Sequence, residues 1–234
     1  MPLTITETAV LIPVREITEP FYTTVKEIRA VVPGAMLCVV VDGSENHIDA
    51  IRIGTPAIII EFEINHGKGA ALRAGYNRLS EEGCVGVITL DADGQHPPTL
   101  IPEFLKTATE TDADLVIGNR LSNLSGMPWD RRFSNRTSTF LLELITRHNL
   151  CDAQCGYRWL RISRWKELDC ECNRFDFEPQ LLLQAVWRKW RLAFVPIPVL
   201  YLHSDSSIRR VPDTLRFLRM IGIEIVRKFS GKYR

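Results

Sequence analysis

The 234 residues are 45% hydrophobic and 24% charged, a composition that supports a sizeable buried core and excludes a disordered chain. With 29 basic and 28 acidic residues the net charge is +1, which excludes an all-over electrostatic grip on nucleic acid. The apolar runs stop far short of the roughly 18–20 residues that span a bilayer, so no transmembrane helix is expected.

Charge is nonetheless uneven. Residues 208–234 carry eight basic and two acidic side chains, net +6, against 21 basic and 26 acidic, net −5, in all that precedes them. The first eight residues have neither the basic start nor the apolar centre of a secretory signal, and a cytoplasmic location is expected. The six cysteines then read as reduced thiols, because their CxxxC and CxC spacings match no common zinc site.

In chain order, short apolar runs rich in β-branched residues predict strands over 9–14, 37–42, 57–62, 85–90 and 115–118. Helical periodicity over 19–31, 68–79 and 98–109 alternates with them. This is the pattern of an α/β fold, a mainly parallel sheet flanked by helices in a single domain. Pro97 and Pro98 suit a helix's first turn, which puts the preceding loop at the carboxyl end of the fourth strand. The second half reads as a helix over 131–148, a turn-rich stretch over 151–161, a helix over 178–190 and an edge strand over 193–202. Pro196 and Pro198 lie two apart, so both missing N–H groups face one way, which an unpaired edge tolerates. A closing helix is predicted over 212–229.

The fourth strand runs into Asp91-Ala92-Asp93-Gly94-Gln95-His96, which sets two carboxylates and an amide oxygen in one turn. In open α/β sheets ligands bind at that edge, and closely spaced oxygen donors favour Mg²⁺ or Mn²⁺ with positions left for phosphate. His96 is a possible fourth ligand or a residue that shapes the turn. Asn65-His66-Gly67-Lys68-Gly69 leads into a helix and reads as a phosphate cradle or a plain helix cap. Asp42 ends another strand, either as an acceptor for a base or ribose or as a turn residue.

These segments, with Asp152-Ala153-Gln154-Cys155-Gly156-Tyr157-Arg158, resemble the GT-A fold glycosyltransferases of family 2, in the dolichyl or polyprenyl-phosphate sugar synthase branch. The similarity runs from about Val10 to Leu202 and is most specific in DADGQHPP, IGNR, DAQCGYR and FDFEPQLL. It implies a nucleotide-diphosphate sugar donor, a divalent metal held by Asp91, Asp93 and Gln95, and inversion at the anomeric carbon. Pro13, Glu16, Asp42 and Ala92 fall where the family meets the donor, joined by Lys68 and by Arg209 on a serine-rich loop. The segment Pro13-Val14-Arg15-Glu16 is one residue shorter than the family's usual form, and Val41-Asp42 replaces a common Asp-Asp pair, which leaves UDP and GDP both open.

Residues 1–118 thus read as the donor half, 119–206 as the acceptor half and 207–234 as a basic amphipathic helix. The metal ion that the resemblance implies would act as Lewis acid on the departing diphosphate. A phosphate monoester acceptor, with a second pKa near ~6, needs no base, whereas a hydroxyl acceptor would call on Glu178 or Asp152. The resemblance assigns Arg120, Arg131 and Arg132 to a lipid-linked phosphate. In the tail, Leu215, Leu218, Gly222, Ile225 and Phe229 recur at helical spacing among basic residues, as in a helix lying on a membrane or one capping the core. Two other readings are a family 2 enzyme with a hydroxyl acceptor and a non-catalytic nucleotide-sugar binder. A sugar nucleotidyltransferase is disfavoured because the first strand lacks the Gly-rich loop with paired Arg and Lys.

Overall fold

A computed structural model of the chain describes residues 7–44, 47–122, 124, 126–199 and 210–233. Seven strands form one sheet: β1 (Thr8–Val14), β2 (Leu37–Asp42), β3 (Ala57–Phe62), β4 (Gly86–Thr89), β5 (Leu115–Asn119), β6 (Arg158–Arg161) and β7 (Leu192–Pro196), in the spatial order 3-2-1-4-6-5-7. β1 to β4 are mutually parallel and β7 is parallel to β5, while β6 lies antiparallel between β4 and β5. β1 and β2 are buried almost throughout, which is why they read as continuous apolar runs rather than alternating ones.

Helices α1 (Glu19–Val31), α3 (Lys68–Glu81) and α4 (Ile101–Glu110) follow the expected bounds closely, and a short α2 (Ala50–Ile53) lies between β2 and β3. On α3, Gly75 permits close packing, because a Cβ there would run into Leu11 of β1. The later helices are α5 (Trp129–Thr146), α6 (Phe177–Trp187) and α7 (Arg210–Phe229).

The turn-rich reading of 151–161 misses β6. This strand has only four residues and follows a run of turn formers, yet it pairs Thr89 with Arg158 and Gly86 with Arg161. The Trp159 indole lies where a Cβ on Gly86 would sit, so that glycine admits the large ring into the sheet's core. The edge strand is shorter than expected and ends at Pro196. Ile197 N–H donates to Asn119 O, so the alternate position, Pro196, turns its missing donor to the open edge as the spacing predicts.

Because β1 leads through α1 to β2 on one side and β3 leads through α3 to β4 on the other, the chain reverses direction at the β1–β4 boundary. Ligands enter α/β sheets at the carboxyl ends of strands where such a reversal opens a crevice. The turn that begins at Asp91 follows β4 at that boundary.

Candidate active site

Asp91 emerges from β4 held by its neighbour: its backbone N–H donates to Nδ1 of His96 at 3.0 Å. His96 is buried and lies against Tyr157, which in turn stacks on Phe104. Burial pushes the His96 pKa down to about 4, so the ring is neutral and accepts through Nδ1. Its part in this geometry is to shape the turn. Asp93, exposed one residue beyond Ala92, accepts from Gln95 N–H at 3.0 Å, and Gly94 supplies the left-handed turn at φ 73°.

Lys68, the first residue of α3, reaches into this turn. Its Nζ lies 2.6 Å from Asp91 Oδ1 and 2.7 Å from Glu178 Oε1 at the start of α6. Burial opposes the ammonium, but Asp91 and Glu178 more than offset it and hold the lysine pKa above its ordinary value. Burial likewise works against ionisation of Asp91, and Lys68, with help from Arg120, overcomes it and holds that carboxyl below the usual range. Asp93 moves the other way: the residue is exposed, but partial withdrawal of its carboxylate from water in the turn and the charge of Asp91 raise its pKa. Glu178 is buried, and its Oε2 has no hydrogen-bond partner among the described residues.

Among the described residues no three His, Cys, Asp or Glu side chains converge as a metal cluster. Two carboxylates with an amide oxygen still suit a hard divalent ion, because Mg²⁺ dehydrates reluctantly and commonly takes one or two carboxylates, with water and substrate phosphate completing the shell. The donor set therefore fits Mg²⁺ or Mn²⁺ at Asp91, Asp93 and Gln95.

Asp42 holds a turn. Its two oxygens accept from the backbone N–H groups of His66 and Gly67, at 2.7 and 2.8 Å, so it caps the turn that delivers Lys68. The start of α3 is also covered by the 172–173 loop: Asn173 O accepts from Ala70 N–H, and Cβ atoms on Gly67 or Gly69 would collide with that loop's carbonyls. Of the two readings of Asn65 to Gly69, the geometry is that of a helix cap that aims Lys68. Pro13, half-buried, lies on β1 and Glu16, exposed, just after it. Arg209 lies outside the described residues.

Arg120 and Asp152 meet as a fork. Asp152 Oδ2 accepts from Arg120 Nε at 2.8 Å and Oδ1 from Nη2 at 3.0 Å, and Asp152 is fully buried. Gln154 N–H and Arg120 N–H also donate to this carboxylate, so Asp152 orients an arginine and closes a loop. Arg131 and Arg132 lie near the start of α5, the first half-buried and the second exposed.

Two site residues escaped the sequence reading, although both stand in DAQCGYR. Arg158 is buried and donates to the carbonyls of Ala153, Cys155 and Glu178, tying the motif to α6. Gly156 faces the ion pair: a Cβ there would lie 2.7 Å from Lys68 Nζ and 2.9 Å from Asp91 Oδ2. Gly156→Ala should displace the ammonium and lower kcat/KM by at least about tenfold, with a fall in the unfolding midpoint that reports the weakened ion pair. Steady-state kinetics beside thermal unfolding checks this, and unaltered kinetics would contradict the close approach.

The profile described as Glycosyl transferase family 2 matches residues 10–168. The chain belongs to glycosyl transferase family 2. This family 2 glycosyltransferase is 29% identical over 173 residues, 72% of its own length and 66% of the relative's, to the UDP-N-acetylglucosamine–dolichyl-phosphate N-acetylglucosaminyltransferase of Methanococcus voltae. It is 27% identical to the undecaprenyl-phosphate mannosyltransferase of Micrococcus luteus, covering 80% of this chain and 81% of that one. It is 25% identical to the polyprenol monophosphomannose synthase of Mycolicibacterium smegmatis, with 81% and 76% covered. Among solved structures it is similar to glucosyl-3-phosphoglycerate synthase of Mycobacterium tuberculosis, with a TM-score of 0.70, 16% identity and coverage of 96% and 86%. The same enzyme in complex with Mn²⁺, UDP and glucosyl-3-phosphoglycerate gives a TM-score of 0.67 at 16% identity, with 93% and 79% covered. The GT-A fold is thereby shown, and the chain is a glycosyltransferase.

Proposed function

We propose that this glycosyltransferase moves a hexose, with inversion, from a UDP- or GDP-sugar to a polyprenyl phosphate while seated on the cytoplasmic face of a membrane. One observation favours a lipid-linked acceptor over a soluble one. Helix α5 exposes Trp129, Phe133, Phe140 and Leu144 along one face, 65–80% exposed, with Arg132 and Arg136 beside a shallow groove of about 480 Å³. Aromatic side chains with neighbouring arginines suit the boundary between acyl chains and phosphate headgroups.

Helix α5 is also tied to the Arg120 fork, since Thr139 Oγ1 accepts from Ala153 N–H next to Asp152. Helix α7 adds a second exposed apolar stripe of Leu215, Leu218, Val226 and Phe229, while Ile225, expected on that stripe, is half-buried. Among the described residues no helix is long and apolar enough to cross a membrane. The acceptors named for the relatives above, dolichyl, undecaprenyl and polyprenol phosphates, agree with this reading.

In this scheme residues 1–118 hold the donor, with Pro13, Glu16 and Asp42 assigned to the nucleoside and Ala92, Lys68 and Arg209 to the diphosphate. Residues 119–206 hold the acceptor through Arg120, Arg131 and Arg132, and the exposed stripe of α7, whose other face buries Met220 and Ile221, lies toward the lipid. A divalent ion at Asp91, Asp93 and Gln95 supplies Lewis-acid stabilisation of the departing diphosphate. The acceptor phosphate is already ionised and needs no base. That fits two carboxylates already committed to cations, Glu178 to Lys68 and Asp152 to Arg120.

The test is transfer of labelled sugar from UDP- and GDP-sugars, with Mn²⁺, into vesicles carrying polyprenyl phosphate or the free polyprenol. Transfer to the phosphate alone is expected, and Trp129→Glu with Phe133→Glu should cut it about tenfold or more while donor binding persists. Equal transfer to the free alcohol, or none to either lipid, would refute the reading.

A further inference from the structure

We propose that Lys68 couples the binding of metal and nucleoside diphosphate, occupying Asp91 as a built-in cation until a diphosphate gives its ammonium another anion. The inference rests on the reading of Asp91 and Asp93 as the divalent-ion site. Its basis is the position of Lys68 Nζ between two carboxylates, 2.6 Å from Asp91 Oδ1 and 2.7 Å from Glu178 Oε1.

An ammonium and a divalent ion on Asp91 compete for the same charge. Lys68 is 17% and Glu178 6% exposed at their side chains, so the pair is little screened by water and its loss is felt. The lysine has few places to withdraw to. Its backbone is fixed by the turn capped on Asp42 and covered by the 172–173 loop, and Gly156 closes the opposite side. Glu178 is the pivot, a partner that Lys68 keeps when Asp91 is taken by a metal. The carboxylates of Asp91, Asp93 and Glu178 outnumber the one lysine, so a divalent ion is attracted. With no phosphate present, however, it must first break or share the Lys68–Asp91 pair.

An arriving diphosphate removes that obstacle, because its oxygens can accept from Lys68 while they complete the metal's shell. By linkage, whatever the nucleotide does for metal affinity the metal does equally for nucleotide affinity. Lys68 thus opposes a metal-loaded site without donor and a donor held without metal. Glu178 acts as a positioning residue for this exchange.

Mn²⁺ titrations by electron paramagnetic resonance, with and without whichever of UDP and GDP binds more tightly, test the proposal without any turnover. In the wild-type protein the nucleotide should tighten Mn²⁺ by about tenfold or more, within the usual range of coupling between sites. In Lys68→Met, Mn²⁺ alone should bind about tenfold tighter than in wild type, and the tightening by nucleotide should fall below about threefold. Lys68→Met with Glu178→Gln removes one charge of each sign and guards against misfolding, which near-UV circular dichroism reports.

Independent binding of Mn²⁺ and nucleotide to the wild-type protein overturns the coupling without any variant. So does a Lys68→Met protein whose nucleotide affinity falls equally with and without Mn²⁺ while its affinity for Mn²⁺ alone is unchanged, the mark of a simple phosphate ligand. A wild-type protein that binds no Mn²⁺ in either condition refutes the metal site itself, and the proposed function with it.

Discussion

Asp93→Ala should lower sugar transfer by about 10³-fold, roughly 4 kcal/mol of transition-state stabilisation, and leave the fold intact. Asp93 is an exposed residue whose carboxylate accepts from Gln95 N–H in a turn that Gly94 already sets. Partial withdrawal of its carboxylate from water in the turn and the charge of Asp91 disfavour its negative charge, so removing it relieves repulsion in the resting protein. On the proposed reading, what is lost is a carboxylate that would help hold the divalent ion and so stabilise the departing diphosphate. The decisive pair of measurements is kcat/KM at saturating Mn²⁺ and the thermal midpoint. Near-wild-type turnover would remove the acidic turn from the chemistry, whereas a collapse in stability would make its role structural.

Arg120→Ala should lower kcat/KM for polyprenyl phosphate by about 10²-fold while affinity for the nucleotide stays as it was. It should also destabilise the protein by about 3–5 kcal/mol, because Asp152 is fully buried and loses the guanidinium that satisfies it. The two losses can be separated. Asp152→Asn in the same chain removes the orphaned charge and should restore most of the stability but none of the acceptor turnover. Unfolding curves and lipid-acceptor kinetics on wild type, the single variant and the pair read this directly, and recovery of turnover in the double variant would show that Arg120 only neutralises Asp152.

The acidic carboxyl edge of the sheet is legible because it is local. Apolar runs ending in Asp42 and in Asp91-Ala92-Asp93, and prolines marking the next helix start, carry their meaning within a dozen residues. What stayed hidden depends on chain-distant partners. Lys68 reads as a phosphate ligand or a residue of a helix cap, and nothing around it announces Glu178, 110 positions later in numbering. β6 is four residues long behind turn formers, and only the slot between β4 and β5 makes it a strand. The 131–148 periodicity gives a helix, but that Phe133 and Phe140 face outward follows from which side α5 turns to the core. For the same reason the carboxylates of Asp42 and Asp152, legible as site residues by type, prove to hold a backbone turn and an arginine.

The place of β6 also bears on biosynthesis. The blocks 3-2-1-4 and 5-7 meet through this one short strand, which is the fifth in space but the sixth to be made. Until residues 158–161 leave the ribosome, β4 and β5 each lack the neighbour that separates them, and their unpaired backbone edges are the kind that recruit foreign strands. Nascent chains ending in the α5 region therefore carry open edges on both β4 and β5, and the outer edge of β5 stays open until β7 follows.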